Sequence, residues 1–345
     1  MILTAQPDFS DLACAELYAL VPHAQMKSIL APGVLLLDPP DAFDIAAETW
    51  RNAPPTFVRH VSPIQLTLPL QGDKSDIARL EQAIQKGIAP KMDAARSFSV
   101  QSRLLTEVGY KPFDVNGAVS KMIQAEVGSH LNVRNPQQIL SIVCAQVISN
   151  KSNGDKFAYI GLSPVEDNLS DWAGGMRRFA REKGQLSRSE FKLLEALEVF
   201  DIVLPPRGIA LDLGAAPGGW TRVLRQHEQY VTAVDTGLLH PSLTADSGVR
   251  HKRMTAEEYL DSPDEFDLIV NDMRMDARDS ARLLVAYAPT LRPDGMVVMT
   301  LKLPEVQRRT ALDHAMNILR QAYTIVGARQ LFHNRSEITL YLNNG

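Results

Sequence analysis

Cysteine is scarce in this sequence, which has only Cys14 and Cys144, far apart and without metal-ligand spacing. This scarcity argues against a disulfide framework or a zinc site and favours a reducing, cytoplasmic location. The eight histidines are scattered and add no ligand set for a metal. No apolar run approaches the roughly 20 residues that span a bilayer, and the first residues lack the pattern of a signal peptide. We therefore expect no metal and no membrane partner.

An excess of positive charge is also lacking, because the formal net charge is −4. Phosphate contacts depend on local patches rather than on the total charge, however. One short segment is strongly basic and holds Glu182 and Glu190 as its acids; its basic residues are Arg177, Arg178, Arg181, Lys183, Arg188 and Lys192. Because such runs are usually solvated helix faces, two interpretations stay open: a helix face, or RNA contact through the first five of these residues.

The first half of the chain predicts two small α+β modules, over residues 1–75 and 76–165. Strands are expected at 1–4, 33–37 and 64–68, with helices at 11–20 and 42–50. The second module should contain a strand at 98–101, a helix at 115–127, and a hairpin whose strands, 139–148 and 156–162, flank a turn at 150–155.

The second half, residues 166–345, alternates strands and helices. Apolar strands are expected at 209–213, 230–234, 266–270 and 296–300, and helices include 279–288 and 308–322. A last strand is expected at 338–342. This alternation predicts an α/β fold with a doubly wound, mostly parallel sheet.

A glycine-rich loop follows the first of these strands and opens a helix, in the stretch from Leu211 to Thr221. Glycine tolerates a sharp turn and the close approach of a ligand. Asp235 ends the next strand, where a carboxylate can accept hydrogen bonds from both ribose hydroxyls of a nucleoside. The loop lacks the G-x-G-x-x-G spacing of a pyrophosphate site. We therefore expect a ligand that contains adenosine but no pyrophosphate.

The run Gly214-Ala215-Ala216-Pro217-Gly218-Gly219-Trp220 resembles the S-adenosylmethionine motif of the FtsJ-like ribose methyltransferases. This resemblance implies a Rossmann-like sheet of seven strands whose last strand is antiparallel. It also implies S-adenosylmethionine as the cofactor, with the methionine moiety near Ala216 to Gly219 and the ribose at Asp235. The expected cofactor contacts are Gly214, Ala216, Pro217, Gly218, Gly219, Trp220, Asp235 and Asp272.

Methylation of a ribose hydroxyl needs a base or a fixed charge, because a protonated hydroxyl is a poor nucleophile. A lysine can be that base only when burial or a neighbouring cation lowers its pKa. Four residues resemble, in order and context, the catalytic tetrad of FtsJ-like enzymes: Lys192, Asp272, Lys302 and Glu337. The resemblance implies that Lys302 is the base, that Lys192 and Asp272 set its electrostatics, and that Glu337 orients the lysines.

The segments around Ser187, Lys302 and 331–337 resemble, more closely, the bacterial 23S rRNA cytidine 2′-O-methyltransferases that carry a THUMP domain. This resemblance implies a cofactor contact from Ser187 and structured RNA as the partner, 23S rRNA or a large-subunit precursor. No obligate protein partner is evident from the sequence. Four segments of the first half, 98–100, 115–127, 135–140 and 157–162, resemble a THUMP domain preceded by a ferredoxin-like unit, which implies RNA binding there, although a purely structural role stays open. Thr255 departs from the group, which often has an acid near the adenine.

Two alternatives stay open for the reaction. THUMP domains also accompany guanine N2 methyltransferases, which use an Asn/Asp-Pro-Pro-aromatic motif after the fourth strand. This chain has Asn271-Asp272-Met273-Arg274 there, which counts against base methylation. The second alternative is a catalytically silent RNA-binding protein, against which the intact lysines and acids argue.

Overall fold

The computed structural model describes residues 1–39, 41–149 and 152–345. These residues form two compact units, Met1–Met176 and Arg177–Gly345. The second unit thus begins at Arg177, whereas the sequence predicts a module boundary between residues 165 and 166. Both cysteines are free and buried. None of the described helices combines the length and the apolar character needed to cross a membrane.

The first sheet of the N-terminal unit has four antiparallel strands in the order β2-β3-β1-β4. Its elements are β1 (Ile2–Ala5), α1 (Ser10–Leu20), β2 (Gln25–Ala31), β3 (Val34–Asp38), α2 (Ala42–Trp50) and β4 (Val58–Ser62). The two predicted helices and the first two predicted strands lie here. Strands β2 and β4 were not predicted.

The second sheet has the order β5-β8-β7-β6, in which β6 and β7 are parallel and the other pairs antiparallel. Its elements are β5 (Leu66–Leu70), α3 (Ser75–Gly87), β6 (Phe98–Leu104), α4 (Pro112–Glu126), β7 (Gln138–Ser149) and β8 (Ser152–Pro164). Helices α3 and α4 supply Leu80, Ile84 and Val119 to the core against this sheet. The turn predicted at 150–155 is wrong in extent, because β8 already begins at Ser152; Asn150 and Lys151 lie outside the described residues.

The C-terminal unit is built on a seven-stranded mixed sheet in the order β11-β10-β9-β12-β13-β15-β14. Its elements are α5 (Glu190–Val199), β9 (Ile209–Leu213), α6 (Gly219–Gln226), β10 (Tyr230–Val234), α7 (Pro241–Thr244), β11 (Val249–Lys252), α8 (Ala256–Tyr259), β12 (Phe266–Asn271), α9 (Ala277–Tyr287), β13 (Leu291–Lys302), α10 (Arg308–Leu319), β14 (Tyr323–Arg329) and β15 (Glu337–Asn344). Strand β15 is antiparallel to both neighbours, β13 and β14. The predicted α/β fold and its antiparallel last strand are confirmed.

The central strands of this sheet position the site. Ala210, Leu211 and Leu213 of β9 are fully buried, as expected for a strand covered on both faces. Strand β9 pairs in parallel with β10 on one side and with β12 on the other. The connection from β9 runs to β10 on one side and the connection from β12 runs to β13 on the other, and such a switch point opens a crevice at the carboxyl ends of the strands.

Candidate active site

The glycine-rich loop connects β9 to α6 at this crevice. Gly214 has a φ of +76°, and a Cβ there would lie 2.6 Å from Met273 Cγ. Gly218 has a φ of +116°, and a Cβ there would collide with Leu243. Both positions therefore require glycine, because the left-handed conformation and the close neighbours leave no room for a side chain.

A cavity of ≈ 420 Å³ lies against this loop. Its walls are Ser189, Asp212, Gly214, Ala215, Ala216, Gly219, Trp220, Asp235, Asp272, Met273 and Arg274. Six of the predicted cofactor residues are therefore in the wall, whereas Pro217, Gly218 and Ser187 are not. The volume lies in the range of small-molecule sites.

Asp235 directly follows β10 and is half-buried in that wall. Its Oδ2 accepts a hydrogen bond from the backbone N–H of Ala216 (3.0 Å), and its Oδ1 accepts one from Gly237 (2.7 Å). An ionised carboxylate accepts about four hydrogen bonds, so Asp235 can serve the loop and a ligand's hydroxyls together.

The segment before α5 packs on the loop through short polar contacts. The indole N–H of Trp220 donates to the carbonyl of Ser189 (2.8 Å), and the hydroxyls of Ser187 and Ser189 lie 2.6 Å apart. A Cβ on Gly219 would collide with Ser187 Oγ. The hydrogen bond from Trp220 thus holds the segment that contains Ser187 and Ser189, and Ser187 faces the loop at Gly219.

Asp212 is a buried acid in the wall that sequence reasoning did not single out. It lies in β9 with 1% exposure and accepts a hydrogen bond from the Thr221 hydroxyl (2.6 Å). Burial raises the pKa of Asp212 to about 7, an effect that the charge of Asp272 reinforces and the Thr221 hydrogen bond opposes. A carboxylate inside an otherwise apolar strand was the signal in the sequence.

The structure brings Lys192, Asp272, Lys302 and Glu337 together. Lys192 lies in the first turn of α5, Asp272 directly follows β12, and Lys302 ends β13. Glu337 begins β15 and is the cross-strand partner of Lys302 in the antiparallel pairing. Three strand ends and one helix therefore supply one charge cluster.

Each lysine in the cluster contacts both acids. Lys302 Nζ lies 2.6 Å from Asp272 Oδ1 and 3.6 Å from Glu337 Oε1. Lys192 Nζ lies 3.2 Å from Asp272 Oδ1 and donates a short hydrogen bond to Glu337. The buried hydroxyl of Thr300, a residue that sequence reasoning missed, donates to Asp272 (2.6 Å) and accepts from Lys302 (2.7 Å).

The two lysines differ in their pKa. Burial lowers the pKa of Lys302, and the charge of Lys192 adds to this effect, although Asp272 and Glu337 oppose it. Burial also acts on Lys192, but Asp272 and Glu337 outweigh it and raise the pKa of Lys192. For Glu337, burial is opposed by the hydrogen bond and charge of Lys192, so the pKa of Glu337 is lowered. Lys302 is therefore the lysine better suited to lose its proton.

A second cavity of ≈ 650 Å³ adjoins the first and shares Ser189, Asp272 and Arg274 with it. Its other walls are Arg181, Gln185, Leu186, Ser187, Arg188, Phe191, Lys192, Lys302, Phe332, His333, Asn334, Arg335 and Glu337. Lys302 lines this cavity but not the first. The cluster therefore lies where the two cavities meet.

Two buried acids of α5, which sequence reasoning missed, hold the loops around the cluster. Glu190 accepts from the backbone N–H groups of Leu186 (2.6 Å) and Ser187 (3.1 Å). Glu195 accepts from the N–H groups of Phe332 and His333, at 2.8 Å each. No sequence pattern marks the Glu195 contacts, because its partners are backbone groups of a distant loop. The Glu190 contacts are local, with partners three and four residues before it.

The basic segment is not a helix over 177–189, since α5 begins at Glu190; the helix-face interpretation is wrong for this stretch. Arg177 pairs with Glu198 (2.6 and 2.7 Å) and lies over the Phe179 ring. The other four predicted RNA contacts are exposed: Arg178, Arg181, Lys183 and Arg188. Arg181 and Arg188 line the second cavity.

Thr255 has a local structural role. Its hydroxyl accepts from the backbone N–H of Glu258 (3.1 Å), while the Glu258 carboxylate accepts from the backbone N–H of Thr255, which is a capping box at the start of α8. Among the described residues, no group of three His, Cys, Asp or Glu side chains could hold a metal ion.

Comparison with known proteins finds similarity over most of the C-terminal unit. Residues 185–326 match the FtsJ-like methyltransferase family. The chain is 36% identical over 191 residues to the "Ribosomal RNA large subunit methyltransferase M" of Halorhodospira halophila, covering 54% of each chain. It is 37% identical over 188 residues to the protein of that name from Alkalilimnicola ehrlichii, covering 52% of this chain and 51% of the relative.

The chain therefore spans about half the length of the curated relatives it matches. Among solved structures, TrmN from Thermus thermophilus is 18% identical and aligns over 100% of this chain and 99% of its own, with a TM-score of 0.39. The resemblance in the glycine-rich loop is confirmed by the family match, and with it the expected cofactor, S-adenosylmethionine. The segment similar to FtsJ-like methyltransferases, residues 185–326, contains the glycine-rich loop, Lys192, Asp272 and Lys302.

Proposed function

We propose that this protein transfers a methyl group from S-adenosylmethionine to a ribose 2′-hydroxyl of RNA, with 23S rRNA or a large-subunit precursor as the substrate. The observation that carries the proposal is the position of Lys302. This lysine, whose pKa is lowered, lies in the second cavity beside the wall at Asp272 that both cavities share. The rRNA substrate is supported by the names of the relatives, and it implies a cytoplasmic location.

The first cavity fits S-adenosylmethionine. Asp235 offers a carboxylate for the ribose hydroxyls, and the loop from Gly214 to Gly219 has no room for added side chains. When bound, the cofactor supplies an electrophilic methyl group on a sulfonium sulfur. Asp272, in the same wall, favours that positive charge. We assign Pro217 and Gly218 the role of setting the shape of the loop. Ser187 contacts the loop at Gly219 rather than lining the first cavity.

Lys302 supplies the base. In its neutral form, Nζ accepts the proton of a 2′-hydroxyl in the second cavity, which makes the oxygen a better nucleophile. Thr300 and Asp272 hold Nζ in place through hydrogen bonds of 2.7 and 2.6 Å. Lys192 stays charged, because its pKa is raised, and its charge favours the neutral form of Lys302. Glu337 holds Lys192.

The N-terminal unit is proposed to position the RNA. We assign residues 1–75 to a ferredoxin-like module and residues 76–165 to a THUMP-like module, which would contact the RNA through its shape and phosphates. Strand β5 of the first segment pairs with β8 of the second, so the two segments share a sheet. The exposed Arg178, Arg181, Lys183 and Arg188 are proposed phosphate contacts of the C-terminal unit, and Arg177 supports them by fixing the chain at Glu198.

The proposal is tested by locating the methyl group. The purified chain would be incubated with tritiated S-adenosylmethionine and 23S rRNA transcribed in vitro, and the labelled RNA would be hydrolysed with alkali. A 2′-O-methyl group blocks cleavage at its own nucleotide, so the label should appear in alkali-resistant dinucleotides. Label in mononucleotides would indicate base methylation and contradict the proposal, and so would the absence of label from both 23S rRNA and its large-subunit precursor.

A further inference from the structure

Aromatic side chains form one side of the second cavity. Phe191, Phe332 and His333 line it, and Phe179 stacks on Phe191 with ring centroids 5.6 Å apart. The His333 ring lies 5.0 Å from both Phe191 and Phe332. A ribose hydroxyl alone needs no such surface. Flat rings beside a nucleic-acid site are instead suited to stack on a base.

The loop that carries two of these rings is held in a fixed shape. Glu195, which is 3% exposed, accepts from the backbone N–H groups of both Phe332 and His333. In the same loop, the Asn334 side chain accepts from the Thr339 hydroxyl (3.0 Å). A wall that is ordered before binding reduces the entropy that a ligand must remove.

Cations lie around the same cavity. Four exposed arginines line it: Arg181, Arg188, Arg274 and Arg335. A guanidinium group suits bidentate contacts with phosphate oxygens. The cavity thus combines an aromatic wall, a cationic wall and Lys302, which correspond to the base, the phosphates and the ribose hydroxyl of one nucleotide.

We propose that this cavity receives the target nucleotide swung out of the RNA stack, with its base on the wall formed by Phe191, Phe332 and His333. The inference rests on the proposed function and adds the part of the substrate that enters the site. A nucleotide stacked within a helix cannot fill a concave pocket, so the nucleotide must leave the stack before its hydroxyl reaches Lys302. Glu195 is a positioning residue, because it acts through the loop.

The first test is kinetic and compares Phe332→Ala with Phe332→Tyr on unmodified 23S rRNA transcribed in vitro. Loss of the ring should lower kcat/KM for the RNA by about tenfold, or about 1.4 kcal/mol, whereas the tyrosine variant should stay near the wild type. Binding of S-adenosylmethionine, measured by calorimetry, should not change. Phe200→Ala is the matched control, because Phe200 is half-buried against Tyr341 in the same unit and lines neither cavity. A folded Phe332→Ala variant with normal kcat/KM would overturn the proposal.

Glu195→Gln tests the positioning role. The amide keeps one acceptor oxygen but replaces the other with a donor, so one of the two N–H contacts is lost. We expect the KM for RNA to rise several-fold, with kcat and cofactor affinity little changed. A loss of kcat at an unchanged KM would contradict a role through the base wall.

A binding measurement separates this inference from the proposed function. Phe332→Trp adds a fluorophore to a chain that has three tryptophans, and the wild type supplies the background. Each of the four nucleoside 5′-monophosphates would be titrated in the presence of S-adenosylhomocysteine. Quenching of the added signal supports a base site even if no RNA is methylated. No quenching by any of the four at millimolar concentration would overturn the base site even if methylation occurs.

Discussion

Replacing Asp212 with asparagine should change how the stability of the cofactor-free protein depends on pH. Asp212 is buried in β9, where its hydrogen-bond partner among the described residues is the neutral side chain of Thr221, and burial raises its pKa from 3.8 to about 7. At 1.36 kcal/mol per pH unit, this shift corresponds to about 4 kcal/mol. That free energy opposes folding once the carboxyl is ionised.

The direction follows from proton binding. Between about pH 4 and pH 7 the folded protein keeps the Asp212 proton that the unfolded chain has lost, so stability falls as pH rises through this window. Asparagine cannot ionise, yet its oxygen can still accept from Thr221. The free energy of unfolding of Asp212→Asn relative to wild type should therefore increase by about 4 kcal/mol from pH 4 to pH 7.5. Any destabilisation by the buried amide does not depend on pH and leaves this increase unchanged.

The assay is urea unfolding of both proteins at pH 4, 5, 6, 7 and 8 without cofactor. Asp279→Asn is the control, because the Asp279 side chain is 59% exposed. The free energy of unfolding of this variant should differ from that of the wild type by the same amount at every pH. If the difference in the free energy of unfolding between Asp212→Asn and the wild type is the same at every pH, the pKa of Asp212 is not raised in the folded protein.

Three further changes test the cofactor loop and the lysines. Gly219→Ala should weaken S-adenosylmethionine binding by about 1–3 kcal/mol, because the new methyl group collides with Ser187. Calorimetry should show that adding Ser187→Ala partly restores the affinity, and an affinity that stays low would contradict the collision. Asp235→Ala should raise the dissociation constant at least about tenfold, since hydrogen bonds to a charged group are lost; an unchanged constant would exclude Asp235 as the ribose ligand. Lys192→Met should move the rising limb of the pH profile of kcat to higher pH, because the positive charge of Lys192, which lowers the pKa of Lys302, is gone. An unchanged limb, or one moved to lower pH, would contradict this effect of Lys192 on Lys302.

The sequence predicted the central strands better than the edges. Strands β9, β10 and β12 are apolar runs buried on both faces, so their composition marks them. Strands β11 and β14 are the two edges of the same sheet, and they were missed. Their residues are mostly half-exposed or exposed and include charged side chains, so neither strand forms an apolar run or a clear alternation.

Some residues of the candidate site could likewise be predicted from the sequence, and others could not. Asp235, Asp272 and Lys302 lie at the carboxyl ends of β10, β12 and β13, which are parallel strands and end at the same edge of the sheet, so their proximity could be predicted. Glu195 could not be found this way, because it accepts hydrogen bonds from backbone groups 137 and 138 residues away, whose positions depend on the complete fold. Glu190 was missed for another reason: its partners are local, but they lie in a segment that forms neither a helix nor a strand.

Lys302→Arg distinguishes a base at this position from a fixed positive charge. Arginine keeps the positive charge beside Asp272 but cannot lose its proton at neutral pH. If Lys302 is the base, methyl transfer to unmodified 23S rRNA by this variant falls by about 10²- to 10⁴-fold, while S-adenosylmethionine still binds with wild-type affinity. Transfer at the wild-type rate by Lys302→Arg would show that a fixed charge is sufficient and that Lys302 is not the base.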